Sequence, residues 1–198
     1  IQEEWLRISS KDLPLVDSVQ LEHAKALCRR DEQKVELSSL VRDTVICGSV
    51  VRIRKGFRGN LQIFASDSVI VEEGAILEYP SGIYVDSGER RPYVSLERGS
   101  KVNGYVIVTS KNSDSQLRYP SYVQKSGATL NGLLYVDGSC NIEGDIIGAA
   151  YVKDCYYYSN GNVYAGTLYD ARVVRSDSLA FPIFLKGPYE RKLIKKLH

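Results

Sequence analysis

Histidine, the side chain most often used as a general base or zinc ligand near neutral pH, is almost absent from this chain. The 198 residues include two histidines, His23 and His198. His23 lies in a stretch with helical spacing and His198 is the last residue, so neither imidazole is central to the sequence. We therefore expect no histidine-dependent catalysis and no zinc site built on histidine.

The four cysteines, Cys28, Cys47, Cys140 and Cys155, form no CxxC pair and no zinc-finger spacing. We interpret them as small, mostly buried apolar side chains with free thiols. A disulfide stays open as an alternative, because an exported protein meets oxidising conditions. Cys140 and Cys155 are 15 residues apart, close to one structural repeat, so we expect them to stack on neighbouring strands.

A pair of carboxylates could act as acid and base on a polysaccharide. The candidates are Asp137, Asp145, Asp154 and Asp170, which are separated by 8, 9 and 16 residues. These spacings place no pair convincingly on one face of a strand. We predict that the protein is not an enzyme and that it binds no metal and no cofactor, and a carbohydrate-active or carbohydrate-binding protein stays open as an alternative.

Tyrosine is the residue type best suited to recognition in this sequence. Rings on a flat β face can stack on sugars or on protein side chains, although half-buried packing between strands would use them equally well. In an alternating strand Tyr156 and Tyr158 share one face and Tyr157 takes the other. We expect the partner to be a protein or polysaccharide surface. The candidate interaction surface consists of six tyrosines: Tyr151, Tyr156, Tyr157, Tyr158, Tyr164 and Tyr169.

Charge and hydropathy exclude two classes of partner. The chain has 26 Lys and Arg against 24 Asp and Glu, a net charge of +2, so nothing global points to nucleic acid. No run of about 18 apolar residues is present, so we predict no membrane span. The chain starts at Ile1 without a Met, which leads us to expect a processed product that has lost an N-terminal anchor or signal.

Residue composition and hydrophobic pattern divide the chain into three parts. Residues 1–43 are rich in charged residues and Leu, with a helical apolar stripe over 19–28, and we expect a partly helical segment that caps the body or follows the removed anchor. Residues 44–185 alternate short runs of Val, Ile, Leu and Tyr with Gly, Asn, Asp and Ser, which predicts a β body. Residues 186–198 form a basic tail, and the apolar run beginning at Phe181 is expected to be a C-terminal cap.

Internal repeats indicate how the β body is built. Residues 99–108 and 127–136 share one pattern, Gly, small, polar, aliphatic, Asn-Gly and four strand residues, with an offset of 28 residues. An aliphatic-x-x-Gly element recurs at Ile53–Gly56, Val71–Gly74 and Leu96–Gly99. Short strands joined by glycine corners, without helices between them, are typical of coils that stack in parallel. The sequence therefore predicts an all-β fold, a single-stranded parallel β-helix (β-solenoid).

An antiparallel sandwich or barrel is the alternative fold, since Asn-Gly is a strong signal for a hairpin turn. Asn103-Gly104 and Asn131-Gly132, however, lie inside repeated units between two apolar positions. This placement favours the parallel arrangement.

The stretch from Val69 to Leu168 resembles the bactofilin family of polymer-forming proteins in the rhythm of its repeats. The units that carry the resemblance are Val71–Leu77, Leu96–Gly104 and Ile142–Gly148. The resemblance implies a right-handed parallel β-helix that acts as a bacterial scaffold. Long flanking segments depart from the family pattern and argue against end-to-end polymerisation, because a covered terminal coil cannot pair with a neighbour.

These observations lead to one expected function and two alternatives. We expect a non-catalytic structural or adhesive module of the bacterial cell envelope, in an extracytoplasmic location. The first alternative is a cytoplasmic, self-associating scaffold of the bactofilin type. The second is the carbohydrate-binding or carbohydrate-active protein considered above.

Overall fold

A computed structural model of the chain describes residues 19–21, 24–28, 33–35, 44–88, 90–111 and 119–176. Over these residues the chain forms strands and no helix, so the all-β prediction is confirmed there and no helix that could span a membrane is present among them. The strands in chain order are β1 (Val19–Leu21), β2 (Ala24–Cys28), β3 (Gln33–Val35), β4 (Thr44–Ile53), β5 (Arg58–Gly59), β6 (Leu61–Val71), β7 (Ile76–Asp86), β8 (Tyr93–Leu96), β9 (Lys101–Thr109), β10 (Tyr122–Gln124), β11 (Thr129–Ile142), β12 (Asp145–Ser159), β13 (Asn162–Ala165) and β14 (Arg172–Val174).

Six of these strands form a closed parallel sheet, in the order β6, β8, β10, β11, β9 and β7. Pairing of β7 with β6, from Gln62 opposite Gly82 to Ala65 opposite Val85, completes the ring. The other strands add to it, with β4 beside β6 and β12 beside β11. The prediction of an open β-solenoid is therefore wrong. The repeats indicated parallel pairing, but the contact that closes the ring lies outside the repeats that were recognised.

The N-terminal helix expected over residues 19–28 is also contradicted, because β1 and β2 occupy this stretch. The two strands pair antiparallel, and β2 pairs in parallel with the start of β4, where Lys25 lies opposite Thr44. Pairing with a neighbouring strand outweighs a short helical pattern. The rest of the N-terminal part, the predicted cap from Phe181 and the basic tail at 186–198 lie outside the described residues.

The aliphatic-x-x-Gly elements form the turns between strands. In each, a backbone N–H donates to a carbonyl three residues earlier, as from Phe57 to Arg54 and from Ala75 to Glu72. The glycine has a positive φ, for example 68° at Gly74. Successive turns also bond to one another, since the N–H of Glu72 donates to the carbonyl of Ile53. The expectation that these glycines form corners is confirmed.

The longer repeats pair with each other in register. Gly104 lies opposite Gly132, and Gly132 lies opposite Gly148. A β-carbon on Gly132 would lie 1.7 Å from the carbonyl oxygen of Gly104, so only glycine allows the strands to approach at this point. The flanking residues, such as Leu130 and Leu134, are fully buried in the core.

The strand pairs are parallel except for β1 with β2 and β12 with β13 among the described strands, so the antiparallel alternative is wrong for the body. The β12–β13 hairpin turns at Asn160-Gly161, where φ is 50° and 79°. Two consecutive positive φ values identify the Asn-Gly turn that matches the twist of a hairpin. Asn160-Gly161 therefore forms a hairpin turn, whereas Asn103-Gly104 and Asn131-Gly132 lie within parallel strands.

Candidate functional site

The six tyrosines of the predicted surface do not form one patch. Three of them stack on one face of the β12–β13 hairpin, and we call this group the tyrosine cluster. Two more lie on the opposite face of the hairpin, and one lies on an outer row of the sheet. The tyrosine cluster consists of Tyr157, Tyr164 and Tyr169.

The tyrosine cluster is built by the hairpin and by the turn that follows it. Tyr157 lies directly opposite Tyr164 across the two strands, and cross-strand partners share a face. Their ring centroids are 6.1 Å apart with tilted planes, and the ring of Tyr169 stacks on that of Tyr157 at 4.3 Å with an interplanar angle of 22°. Tyr164 is 47% exposed and Tyr169 is 55% exposed. Tyr157 therefore contacts two rings that both remain largely open to solvent.

Tyr156 and Tyr158 flank Tyr157 in the strand and take the other face of the hairpin. Tyr156 is 7% exposed and belongs to the packing of the body. Tyr158 is half-buried, and its hydroxyl is enclosed without a hydrogen-bond partner in the part of the chain that the structure describes. Burial raises the pKa of Tyr158 and nearby Tyr156 adds to this, so the hydroxyl stays protonated at neutral pH.

Tyr151 belongs to a second surface that we call the aromatic row. Register pairing between adjacent strands places its members side by side on one outer face. Exposure is greatest at the β12 end, 44% for Tyr135 and 62% for Tyr151. Tyr135 was not predicted as a site residue, although the offset of 16 residues to Tyr151 is visible once the strands are aligned. The aromatic row consists of Phe64, Tyr84, Ile107, Tyr135 and Tyr151.

Tyr105 lies on β9 two residues before Ile107 of the aromatic row, and it was also not predicted as a site residue. Its ring lies across Gly82, where an added β-carbon would be 2.0 Å from the ring, and its hydroxyl donates to the side-chain oxygen of Gln62. Burial raises the pKa of Tyr105. This tyrosine is 4% exposed, so it belongs to the packing of the body.

A cleft of about 610 Å³ lies on the Tyr158 side of the hairpin. The guanidinium carbon of Arg91 lies 5.3 Å from the ring centroid of Tyr119, which is one wall of the cleft and is 63% exposed. No acidic side chain is among the described residues of the cleft wall. These residues are Tyr119, Tyr158, Ser159, Asn160, Gly161, Asn162 and Val163.

The candidate carboxylates are spread over the body. Asp145 forms an ion pair with Arg172 at 3.3 Å, and Asp170 lies at a positive-φ turn position. Another charged depression, of about 530 Å³, lies among the glycine turns and holds Lys55, Glu72 and Arg98. Across the described residues, no three His, Cys, Asp or Glu side chains come together as metal ligands do.

Cys140 and Cys155 are neighbours on β11 and β12, as their spacing predicted. Both are free thiols. Burial raises the pKa of Cys140, and the nearby Cys155 and Asp154 raise it further. Burial and Asp154 also raise the pKa of Cys155, so the thiolate that reacts or binds metal is disfavoured at both positions.

Comparison of the chain with protein-family models, with curated proteins and with solved structures gave no match.

Proposed function

We propose that this protein is a non-catalytic adhesive module of the bacterial cell envelope, and that the tyrosine cluster is its contact surface for envelope polysaccharide. The observation that carries the proposal is the exposed stack of Tyr164, Tyr157 and Tyr169. A folded chain gains little by holding rings in solvent, and Tyr164 and Tyr169 are both exposed. Their exposed ring surface gains free energy when an apolar surface covers it.

Sugar rings suit this surface because their C–H faces are apolar while their hydroxyls stay hydrated at the edge. Aromatic side chains combine a large apolar area with a polar handle, and the phenol groups at the rim of the cluster offer such handles. The envelope location rests on the sequence, whose composition rich in Tyr, Asn and Ser suits a surface exposed outside the cell.

The aromatic row extends the proposed contact area. Neighbouring strands are about 4.8 Å apart, so Tyr135 and Tyr151 present adjacent side chains on the outer face of the sheet. A polymer can contact the row and the cluster at more than one point. Weak contacts that act together bind more tightly than either alone.

The experiment is co-sedimentation of the full chain with purified bacterial cell walls. We expect the wild type to sediment with the walls and the Tyr164→Ala/Tyr169→Ala double variant to remain in solution, with at least about a tenfold loss of affinity. Tyr93→Ala is the matched control, because Tyr93 is 37% exposed and lies outside both surfaces. Equal sedimentation of the double variant and the control would contradict the proposal.

A second candidate, the bactofilin-like scaffold, is favoured by a different observation. Gly148 to Val152 of β12 pair with β11 on one edge, and none of the described strands pairs with the other edge. An unpaired edge is a template for a further strand from another molecule. Filaments in electron micrographs, and light scattering that rises with concentration, would support this candidate, whereas a monomer at every concentration would remove it.

A further inference from the structure

The ring contacts of the tyrosine cluster join three segments that are separate in the chain. Tyr157 lies on β12, Tyr164 lies on β13, and Tyr169 lies in the segment that follows β13. Tyr157 and Tyr169 form the closer pair, since their ring centroids are 4.3 Å apart and their planes differ by 22°. The centroid of Tyr164 is 6.1 Å from that of Tyr157, with an interplanar angle of 30°. Two phenol rings are therefore held nearly face to face.

Backbone contacts on both sides of Tyr169 hold its ring at this position. Before it in the chain, the N–H of Gly166 donates to the carbonyl of Cys155 on β12, with nitrogen and oxygen 2.8 Å apart. After it, β14 pairs in parallel with the start of β12. Because both contacts are made to the strand that carries Tyr157, the two rings stay side by side.

The closer ring pair is accessible to an oxidant in solution. Tyr169 is 55% exposed and Tyr157 is half-buried. By contrast, Tyr156 is 7% exposed and the hydroxyl of Tyr158 is enclosed. One-electron oxidation of a phenol removes the hydrogen of its hydroxyl, so an open hydroxyl reacts before an enclosed one. Oxidation should therefore begin in the tyrosine cluster and not at the neighbouring tyrosines of β12.

We propose that the tyrosine cluster is a site of oxidative cross-linking, where hydrogen peroxide and a haem peroxidase join Tyr157 to Tyr169 as dityrosine. The oxidant removes one hydrogen atom from each phenol hydroxyl and leaves two phenoxyl radicals. The radicals couple through a new carbon–carbon bond between the ring carbons next to the oxygen-bearing carbons. The hydrogen on each coupled carbon then moves to the phenol oxygen. The O–O bond of the peroxide breaks, and the two hydrogen atoms that the protein has lost leave in two molecules of water.

Proximity favours this bond over reaction of either radical with another molecule. Two groups held in contact react as if each were present at a concentration far above that of a solute. The new bond closes a loop that contains β13 and the turn at Asn160-Gly161. The ends of this loop then stay together when the hairpin opens. The inference does not depend on polysaccharide binding, because no sugar takes part in the reaction.

The test is oxidation of the full chain by hydrogen peroxide and a haem peroxidase, followed by trypsin digestion and mass spectrometry. Trypsin cleaves after Lys153 and Arg172, so the whole cluster lies in one peptide, and the cross-link lowers its mass by two hydrogen atoms. Hydroxylamine then cleaves the Asn160–Gly161 bond, which lies between Tyr157 and Tyr169. We expect the two halves to stay joined after oxidation and to separate without it. About tenfold dilution before oxidation should leave the joined fraction unchanged, because both rings belong to one chain.

Two matched substitutions identify the partner of Tyr157. Phenylalanine keeps the ring and its packing, but it has no hydroxyl and forms no phenoxyl radical. We expect Tyr169→Phe to lower the joined fraction at least about fivefold, whereas Tyr164→Phe should keep it within about twofold of the wild type. Far-ultraviolet circular dichroism verifies the fold of each variant. Separation of the halves in oxidised wild type, or an equal joined fraction in Tyr169→Phe, would overturn the proposal.

Discussion

At the scale of single residues, burial determines the reactivity of the cysteine thiols. Cys140 and Cys155 are adjacent on parallel strands, yet burial raises the pKa of both thiols. The thiolate is the reactive form, so neighbouring position alone does not make the pair a redox site.

Thiol alkylation tests this point. We expect Cys140 to react with iodoacetamide at pH 8 at least about tenfold more slowly than in the unfolded chain, because its folded form holds the proton more tightly. Mass spectrometry of digested protein measures the label at each cysteine. In denaturant all four cysteines should react, and fewer than four reactive thiols there would indicate a disulfide instead.

Substitution of Gly104 tests whether the close approach of the paired strands requires glycine. A β-carbon at this position would lie 1.8 Å from the carbonyl oxygen of Ser81, which is backbone and cannot move aside alone. We expect Gly104→Ala to lower the free energy of unfolding by about 3 kcal/mol or more. Urea denaturation measures the loss.

The control for this substitution is Gly74→Ala. Gly74 also has a positive φ, 68°, but nothing lies within 4 Å of a β-carbon added there. Its cost should be only the backbone strain of about 1–2 kcal/mol. Equal losses at Gly74 and Gly104 would show that the contact with Ser81 is not the cause.

At the scale of elements, the hairpin of β12 and β13 separates the tyrosine cluster from the cleft. One face carries Tyr157 and Tyr164, and the other carries Tyr158 and Val163. Alternation along the strand predicted this division between neighbouring tyrosines. The turn at Asn160-Gly161 could have been predicted as well, since Asn-Gly is a short hairpin signal and it stands here between two tyrosine-bearing segments.

Disruption of this turn should affect the hairpin and leave the body intact. In Gly161→Val a β-branched residue occupies a position with φ of 79°, so we expect the hairpin to open. The near-ultraviolet circular dichroism of the tyrosines should weaken while the urea midpoint of the body changes little. A large fall in the midpoint would contradict the independence of the hairpin from the body.

The elements also show what the sequence could and could not predict. The turns at Gly56, Gly74 and Gly99 were predicted from their spacing, because a positive φ in a tight turn leaves a glycine signature. The unit Ile142–Gly148 was recognised, but it contains two glycines four residues apart, Gly144 and Gly148, and the sequence alone does not say which of them pairs with the preceding strand. Strand pairing distinguishes them, since Gly148 lies opposite Gly132.

At the scale of the whole molecule, ring closure and the exposed rows depend on contacts far apart in sequence. Phe64 and Tyr84 have ring centroids 6.0 Å apart, but no local pattern pairs them. The acidic candidates illustrate the same limit, since the contact of Asp145 with Arg172 spans 27 residues. Composition predicted an all-β body rich in tyrosine, whereas the environment of each tyrosine required the fold.

Buried tyrosines predict how the stability of the whole molecule responds to alkaline pH. Burial raises the pKa of Tyr105 and Tyr122 in the folded state, so above a pH of about 10 the unfolded chain loses these protons first. Stability is therefore complete below this pH and falls as the pH rises. Urea midpoints at pH 9 and 11 should show the fall, and Tyr105→Phe should show a smaller one. If the difference between the midpoints at pH 9 and pH 11 is the same in Tyr105→Phe as in the wild type, Tyr105 does not contribute to the loss of stability.

Binding of envelope polysaccharide to the tyrosine cluster can be followed by nuclear magnetic resonance of the tyrosine ring protons. Soluble bacterial cell-wall oligosaccharide is added in steps, and the signals are assigned by single Tyr→Ala variants. We expect the ring signals of Tyr164 and Tyr169 to shift and saturate while those of Tyr93 stay in place. Unchanged signals from Tyr164 and Tyr169, with or without shifts elsewhere, would contradict it.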